Sequence, residues 1–262
     1  MKFKTLQSLF FAGAVFFAGA ALGLALSLLV HSQGYSDYQA DIARSQEPLF
    51  SQMAISKSGY QVVYDNRLRI ASCVYERLTA DSVQGTAKRR QMTFREDLAV
   101  EEPFRVGLKD FIGSGFDRGH LAPAADYKNS LAEMADTFAL SNVVPQDPKM
   151  NRGIWAHLER QVRDLTGNYQ AVHVFTGPLF IPESDKDGKR FVKYEVISQK
   201  NVAVPSHLYK VIFCETSLGK IDEFAYIIPN QPIDPKLRIA KFQVSVDQVE
   251  SIAGVIFKKW KR

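Results

Sequence analysis

Cysteine is scarce in this 262-residue chain, with Cys73 and Cys214 alone, and neither has a second Cys or a His at the short spacing that tetrahedral zinc requires. A structural zinc site is therefore excluded. The pair leaves open one disulfide on the far side of a membrane or two buried thiols. A surplus of one charge is missing as well, despite a pI near 9.1. Setting aside Lys2, Lys4 and the four basic residues among the last five leaves 27 basic against 28 acidic residues. A near-neutral body offers no broad basic field, so any phosphate it binds must be held by a few placed arginines. The basic tail reads as a solvated end, with a membrane-surface or polyanion contact as the alternative. Internal repeats and low-complexity segments are absent, and hydrophobic content of 46% is that of a globular chain.

What is present at the start is an apolar run, Leu9 to Val30, without a charged residue. As a helix its residues would rise about 33 Å, enough to cross a hydrocarbon core of about 30 Å. The run exceeds the apolar region of a secretory signal and ends in "LLVHSQG", a poor cleavage site. It therefore reads as an uncleaved transmembrane anchor, with a cleaved signal as the competing reading. Lys2 and Lys4 precede it and Asp37 and Asp41 follow it, which leaves the N-terminus inside and the body across the membrane. Gly19 and Gly23 form a small-xxx-small pair of the kind that brings two such helices together. The resulting organisation is a basic N-terminus at 1–8, the anchor at 9–30, a polar tether at 31–58 and a folded domain at 59–262.

Within that domain, "YQVVYD" and "RLRIASCVYERL" read as a strand pair around Asp65-Asn66. Further strand patterns are "AVHVFTG", "FVKYEVI", "HLYKVIFCE" and "EFAYIIP". Helical patterns cover 129–140, 151–165 and 247–257, the last with Val249, Ile252, Ala253 and Ile256 at helical spacing. Strands cluster instead of alternating with helices. The fold class expected is α+β, with a central, mainly antiparallel sheet flanked by helices.

Of five histidines, His31 borders the anchor, His173 and His207 sit in apolar strand patterns as packed core residues do, and His157 reads as a solvated helix position. His120 differs, because it closes "GSGFDRGH", where glycines at 113, 115 and 119 let the backbone approach an imidazole and a guanidinium closely. Downstream, Asn151, Trp155 and Glu159 step along one side of a helix. Their bland reading is a helix cap at Asn151 and a surface ion pair between Glu159 and Arg163. Their functional reading is an amide oxygen and a carboxylate on one face, which suffice for a hard divalent ion that keeps its waters and takes further oxygens from a phosphate.

"GSGFDRGHLAPA", "TFALSNVVPQD" and "MNRGIWAHLER", in that order, resemble the DNA/RNA non-specific endonucleases of the ββα-metal type. The likeness continues through "FTGPLFIP", "VKYEVI" and "NVAVPSHLYKVI" towards the mitochondrial endonuclease G and exo/endonuclease G-like branches, and spans 59–257. The resemblance implies a ββα-metal site in which His120 is the general base and Asn151 the one protein ligand of magnesium, with manganese as substitute. It makes Arg118 and Arg77 the arginines that stabilise the phosphate, and Glu159 the carboxylate that holds metal-bound water. On the substrate side it implies Arg163 as a phosphate contact, Asn142 as a site-supporting residue and Asp117 as the residue orienting the loop. DNA and RNA are the implied substrates, cut to 5′-phosphate and 3′-hydroxyl ends, and a homodimer is the implied assembly. Asp117 departs from the serine of the exo/endonuclease branch, so endonuclease G-like cutting is expected, with exonuclease polarity open. The membrane implied is the mitochondrial inner membrane, facing the intermembrane space, and a bacterial inner membrane facing the periplasm is the alternative. A nucleic-acid-binding protein without catalysis and a small-phosphodiester hydrolase are the competing functional classes.

Overall fold

The computed structural model describes residues 52–257. The chain divides into two units, Met1–Phe50 and Ser51–Arg262, and everything below concerns the second. The expected anchor at 9–30 and most of the tether lie outside the described residues. Among the described residues, no helix is long and apolar enough to cross a membrane.

The fold is α+β, built on a seven-stranded sheet. Its strands are β1 (Gln52–Ser56), β2 (Tyr60–Asp65), β3 (Ile70–Leu78), β6 (Ala171–Leu179), β7 (His207–Glu215), β8 (Ile221–Pro229) and β9 (Gln243–Val244). They lie in that order across the sheet, with every neighbouring pair antiparallel. A second, two-stranded sheet pairs β4 (Asp117–His120) with β5 (Val143–Gln146). The helices are α1 (Leu131–Asp136), α2 (Ala156–Leu165) and α3 (Val246–Ala253).

The alternation of β7 explains how the sheet is covered. Leu208, Ile212 and Cys214 join the larger core cluster with Trp155, Leu158 and Val162 of the α2 region, whereas Tyr209, Val211 and Phe213 join Val246 and Val249 of α3. Successive side chains on a strand point to opposite faces, so one face of the sheet carries β4, β5 and α2 and the other carries α3. Trp155, fully buried, is the bulkiest side chain of the first interface. Helix α3 starts at Ser245, whose hydroxyl accepts from Gln248 N–H in a capping box, and stops at Gly254 in a left-handed conformation (φ 67°).

Several sequence expectations need correction. The folded unit does not begin at Gly59: β1 lies inside the stretch read as tether. It is a five-residue edge strand in which Ile55 alone is fully buried, so its apolar alternation is too short to register. "FVKYEVI" is not a strand of the sheet. Residues 191–196 are exposed, and the region forms only two-residue ladders, Glu183–Ser184 with Arg190–Phe191 and Val196–Ile197 with Val202–Ala203. The helix expected over 129–140 keeps six residues, capped by Ser130, whose Oγ accepts from Glu133 N–H at 3.2 Å. Cys73 and Cys214 are both free thiols.

Trp155→Ala removes the central side chain between α2 and the sheet, so it should cost about 3–5 kcal/mol. Urea unfolding of the two proteins compared at equal m-value measures that loss.

Candidate active site

The site is assembled from β4 and the helical segment that follows β5. Gly113 (φ 70°) and Gly115 (φ 81°) turn the chain into β4 through left-handed conformations that a side chain would strain. Gly119 serves a different purpose. A Cβ there would fall 2.0 Å from Cδ of Gln146, because that buried side chain lies across the backbone of β4.

The strand then presents two groups on one face. His120 is 7% exposed and packs between two rings, Phe94 at 5.0 Å and, edge-on, Phe138 at 4.9 Å. Its Nε2 has no hydrogen-bond partner in the protein. The Arg118 guanidinium stacks over the same Phe94 ring at 4.8 Å. Beyond His120 the chain is pinned by Asn142, which is fully buried. Its Oδ1 accepts from Ala122 N–H at 2.9 Å, and its Nδ2 donates to the carbonyls of Ala122 and Thr137, both at 2.9 Å. Asn142 thus has no free hydrogen-bonding group for substrate. It braces the exit of β4.

The helix half starts with Asp147, not Asn151. The Asp147 carboxylate accepts from the N–H groups of Lys149 and Met150 at 2.9 Å, while Asn151 already has helical dihedrals. The cap reading of Asn151 is therefore excluded, and its amide is available for other work. The next turn is wide: Ala156 N–H reaches back to the Asn151 carbonyl, and the backbone opens at Gly153 (φ −101°, ψ −107°). Asn151 Nδ2 donates to Asp117 Oδ2 at 2.9 Å, and Arg152 Nε donates to the same oxygen at 2.8 Å. A carboxylate only accepts, so this bond assigns the amide nitrogen to Asp117 and leaves Asn151 Oδ1 as the free end. Asp117 accordingly orients the Asn151 amide. Arg152 and Asn151 together hold its carboxyl below the usual range against the opposing effect of burial.

Asp117, Arg118, His120, Asn151 and Glu159 line one cleft of about 570 Å³. Arg89, Lys128 and Arg152 line it too, and none of these three was singled out in the sequence. Arg89 sits in "KRRQ", a basic run that cannot be told from a solvated loop without its three-dimensional setting. In the structure its guanidinium lies 5.9 Å from the Phe138 ring that flanks His120. Four cations beside two carboxylates give the cleft the charge balance that a polyanion needs.

Two expected arginines are elsewhere. Arg77 is exposed on β3 and pairs in register with His173, on the α3 face, whereas its neighbour Glu76 faces the site side of the sheet. Strand alternation alone takes it away from the cleft. Arg163 is not paired with Glu159 in the structure. Its Nη1 donates to the buried Asp126 Oδ1 at 2.7 Å, which makes it a structural partner behind the cleft instead of a phosphate contact.

Burial controls the titration of the two central groups. Desolvation, with a smaller contribution from Arg89, lowers His120 to about 3, so the imidazole is neutral and one ring nitrogen is left unprotonated. Desolvation raises Glu159 to about 7, opposed by Lys210 and reinforced by Asp126. Among the described residues no group of three or more His, Cys, Asp or Glu forms a metal cage. The donors available to an ion are the Asn151 amide oxygen and the Glu159 carboxylate, both hard oxygens. A ligand set completed by water and substrate oxygens suits magnesium better than a transition metal.

The profile of the DNA/RNA non-specific endonuclease family matches residues 39–261. The chain is 44% identical over 202 residues to the protein named "Endonuclease G, mitochondrial" of Homo sapiens, covering 77% of this chain and 68% of that one. It is 37% identical over 262 residues to "Nuclease EXOG, mitochondrial" of Homo sapiens, covering 95% of this chain and 71% of that one. The fold superposes with TM-score 0.78 on a chain from a crystal structure of an EndoG/EndoGI complex, at 40% identity and covering 80% of this chain and 86% of that one.

The two shifted groups act oppositely on stability. Neutral burial of His120 costs stability as pH falls below 6.5 towards about 3, and that of Glu159 costs stability as pH rises from 4.5 through about 7. In the metal-free protein, side-chain nitrogen NMR should show His120 neutral from pH 8 down to 5, with no inflection near 6.5. An inflection near 6.5 assigned to His120 would contradict this burial.

Proposed function

The chain belongs to the DNA/RNA non-specific endonuclease family and is an enzyme of the endonuclease kind, and we propose that it hydrolyses phosphodiester bonds of both DNA and RNA with His120 as general base. The observation that carries this reading is the convergence of His120, Arg118, Asn151 and Glu159 on one cleft. In this reading neutral His120 accepts a proton from water through the part of its ring that lines the cleft, and the oxygen so activated attacks phosphorus. Burial has already removed the competing protonated form of the imidazole, and Phe94 and Phe138 fix the plane of the ring. Arg118 supplies a planar, permanently charged fork for the phosphoryl oxygens, and Arg89 takes the second position that Arg77 does not reach.

Asn151 Oδ1 and, through water, Glu159 would hold a divalent cation, magnesium first and manganese as substitute. The chemistry such an ion supplies is polarisation of the phosphate and charge for the departing 3′ oxygen, which gives 5′-phosphate and 3′-hydroxyl ends. Asp117 keeps the Asn151 amide turned so that its oxygen is the exposed atom. Contacts of this kind go to phosphate and sugar, which carry no direct sequence information, so cutting is non-specific. The further reading is a homodimer held at a mitochondrial membrane by the 9–30 segment, with the nuclease unit facing the intermembrane space. It rests on the apolar N-terminal run and on the mitochondrial names of the relatives.

Cleavage of supercoiled plasmid, of RNA and of a small phosphodiester separates the reading from its rivals. Plasmid and RNA should both be degraded, the small diester should not be preferred, and EDTA should abolish turnover. Replacing His120 by Ala should lower kcat/KM at least about 100-fold with the protein still folded and nucleic acid still bound. Wild-type rates from that variant, or full activity in chelator, would sink the mechanism. The arginine assignment has its own test. Arg89→Ala should cost about 100-fold, and exposed Arg77→Ala should stay within about threefold of the unsubstituted protein. The reverse ranking would restore Arg77 to the site.

A further inference from the structure

The arginines of the cleft are held in two different ways. Arg152 uses its fork on an acid: Nε donates to Asp117 Oδ2 at 2.8 Å and Nη2 donates to Oδ1. Two of its five donors are occupied and its charge is matched. Arg118 is exposed as well, yet among the described residues nothing accepts a hydrogen bond or forms an ion pair with its guanidinium. The neighbouring Asp117 carboxylate is already taken by Asn151 and Arg152. What holds Arg118 is the face of Phe94, with Cζ 4.8 Å from the ring centroid. A ring face attracts a guanidinium without occupying any N–H, so all five donors remain for phosphate oxygens. Arg89 shows the same arrangement at longer range, 5.9 Å over Phe138.

Phe94 is itself fixed from behind. It stands on the segment between β3 and β4, half-buried and lining the cleft. Its neighbour Arg95 donates its N–H to the Phe138 carbonyl at 3.0 Å, and the Arg95 carbonyl accepts from Leu140 N–H at 2.9 Å. The Arg95 guanidinium donates to Asp136 Oδ1 at 3.0 Å, which ties the segment to the end of α1. The Phe94 and Phe138 rings then pack at 5.0 Å. An exposed arginine without such a support would be free to sample many rotamers. Here the position of the ring is set by backbone bonds on its far side, and the guanidinium inherits that position.

We propose that Phe94 is a positioning residue for Arg118, an aromatic shelf that sets the guanidinium beside His120 while leaving its N–H donors to the substrate. The proposal rests on the nuclease reading above, in which Phe94 touches no reacting atom. A carboxylate in the same place would orient Arg118 too, but it would cancel the charge and occupy the fork that the phosphate needs. The ring does neither, so the arginine is ordered before substrate arrives and remains fully available to it.

The test uses the full chain, isotopically labelled at arginine, with the variants Phe94→Leu, which keeps apolar bulk and loses the ring face, and Phe94→Tyr, which keeps both. In NMR spectra without substrate, the Arg118 side-chain resonances should carry an upfield ring-current displacement that Phe94→Leu removes and Phe94→Tyr retains. On plasmid DNA, Phe94→Leu should lower kcat/KM about 3- to 30-fold, a cation–π contact expressed as a rate. Phe94→Tyr should stay within about threefold of the unsubstituted protein. Added to Arg118→Met, Phe94→Leu should cause no further loss, because one residue acts through the other. Three results would each overturn the proposal: Arg118 resonances unmoved in Phe94→Leu, equal losses in Phe94→Leu and Phe94→Tyr, or losses that multiply in the combined variant. The last is what a ring serving only to pack His120 gives. If Phe94→Leu does not fold, Phe94→Met replaces it in every comparison, since a flexible thioether fills the gap without a ring face. Absence of cleavage by the unsubstituted protein would remove the nuclease reading, and the Arg118 resonances would still decide whether Phe94 holds the guanidinium.

Discussion

The hydrogen bond from Asn151 Nδ2 to Asp117 Oδ2 joins the strand half of the cleft to the helix half and decides which atom of the amide faces outward. An amide has a donor end and an acceptor end, and a carboxylate on one side leaves no choice of orientation. The same carboxylate takes a second donor, Arg152 Nε, so it is held as an anion in a fixed place at the wall of the cleft. For this bond to exist, the helix must begin early enough that Asn151 is not its cap. Asp147 meets that requirement by accepting both open N–H groups of the first turn. Asn230 in turn fixes where Asp147 sits, accepting from its N–H at 2.8 Å and donating to the Pro145 and Pro205 carbonyls. A chain of local hydrogen bonds thus runs from the edge of the main sheet to a single amide oxygen.

What the sequence makes legible follows from which interactions are local. Gly113, Gly115 and the Asp-Arg-Gly-His run lie within a few residues of one another, so their shared turn and strand can be read from spacing. Asn151 and Glu159 are two helical turns apart on one segment, and that too is visible. The strands β2, β3, β6, β7 and β8 are equally plain, β2 by its alternation and β6 and β7 by nearly continuous apolar runs buried on both faces. Arg77 shows the limit. Its position in a strand was correctly read, but the face it occupies depends on which neighbour points at the site. Glu76 does, being buried and bonded to Tyr127, and a shift of one residue reverses the assignment. Arg89 could not be found, because its value lies in its approach to the Phe138 ring and its charge near His120, made across the fold. Arg163 failed for a related reason. The helical spacing to Glu159 is real, but buried Asp126 is the stronger claim on a guanidinium because an unpaired carboxylate in that position would be far more costly.

The cleft and its backing use opposite electrostatic environments. In front, exposed Arg89, Arg118, Lys128 and Arg152 are hydrated and cost little to keep charged. Behind, Glu76, Asp126 and Lys210 are almost wholly excluded from water, where a charge persists only when matched. Burial drives Glu76 well above the ordinary carboxylate range, so the enclosed layer moves towards neutrality by retaining a proton where cations run short. Glu159 stands at the border between the two environments, lining the cleft while feeling Lys210 and Asp126 from behind.

That border position bears on how the proposed site, with a single amide ligand for a cation, would work. A cage of several carboxylates would bind a divalent ion tightly without substrate, and it would also repel the phosphate that must follow. In that reading Asn151 would contribute an oxygen without a charge, and burial raises Glu159 to about 7. In the proposed reading each incoming group would favour the next: a cation would favour ionised Glu159, and a phosphate attracted by Arg118 and Arg89 would supply the oxygens that the protein withholds. Affinity for the ion and affinity for the substrate would then be coupled by linkage. In the proposed reaction the neutral, buried His120 completes the arrangement, because an imidazole without charge neither competes with the cation nor neutralises the phosphate before attack.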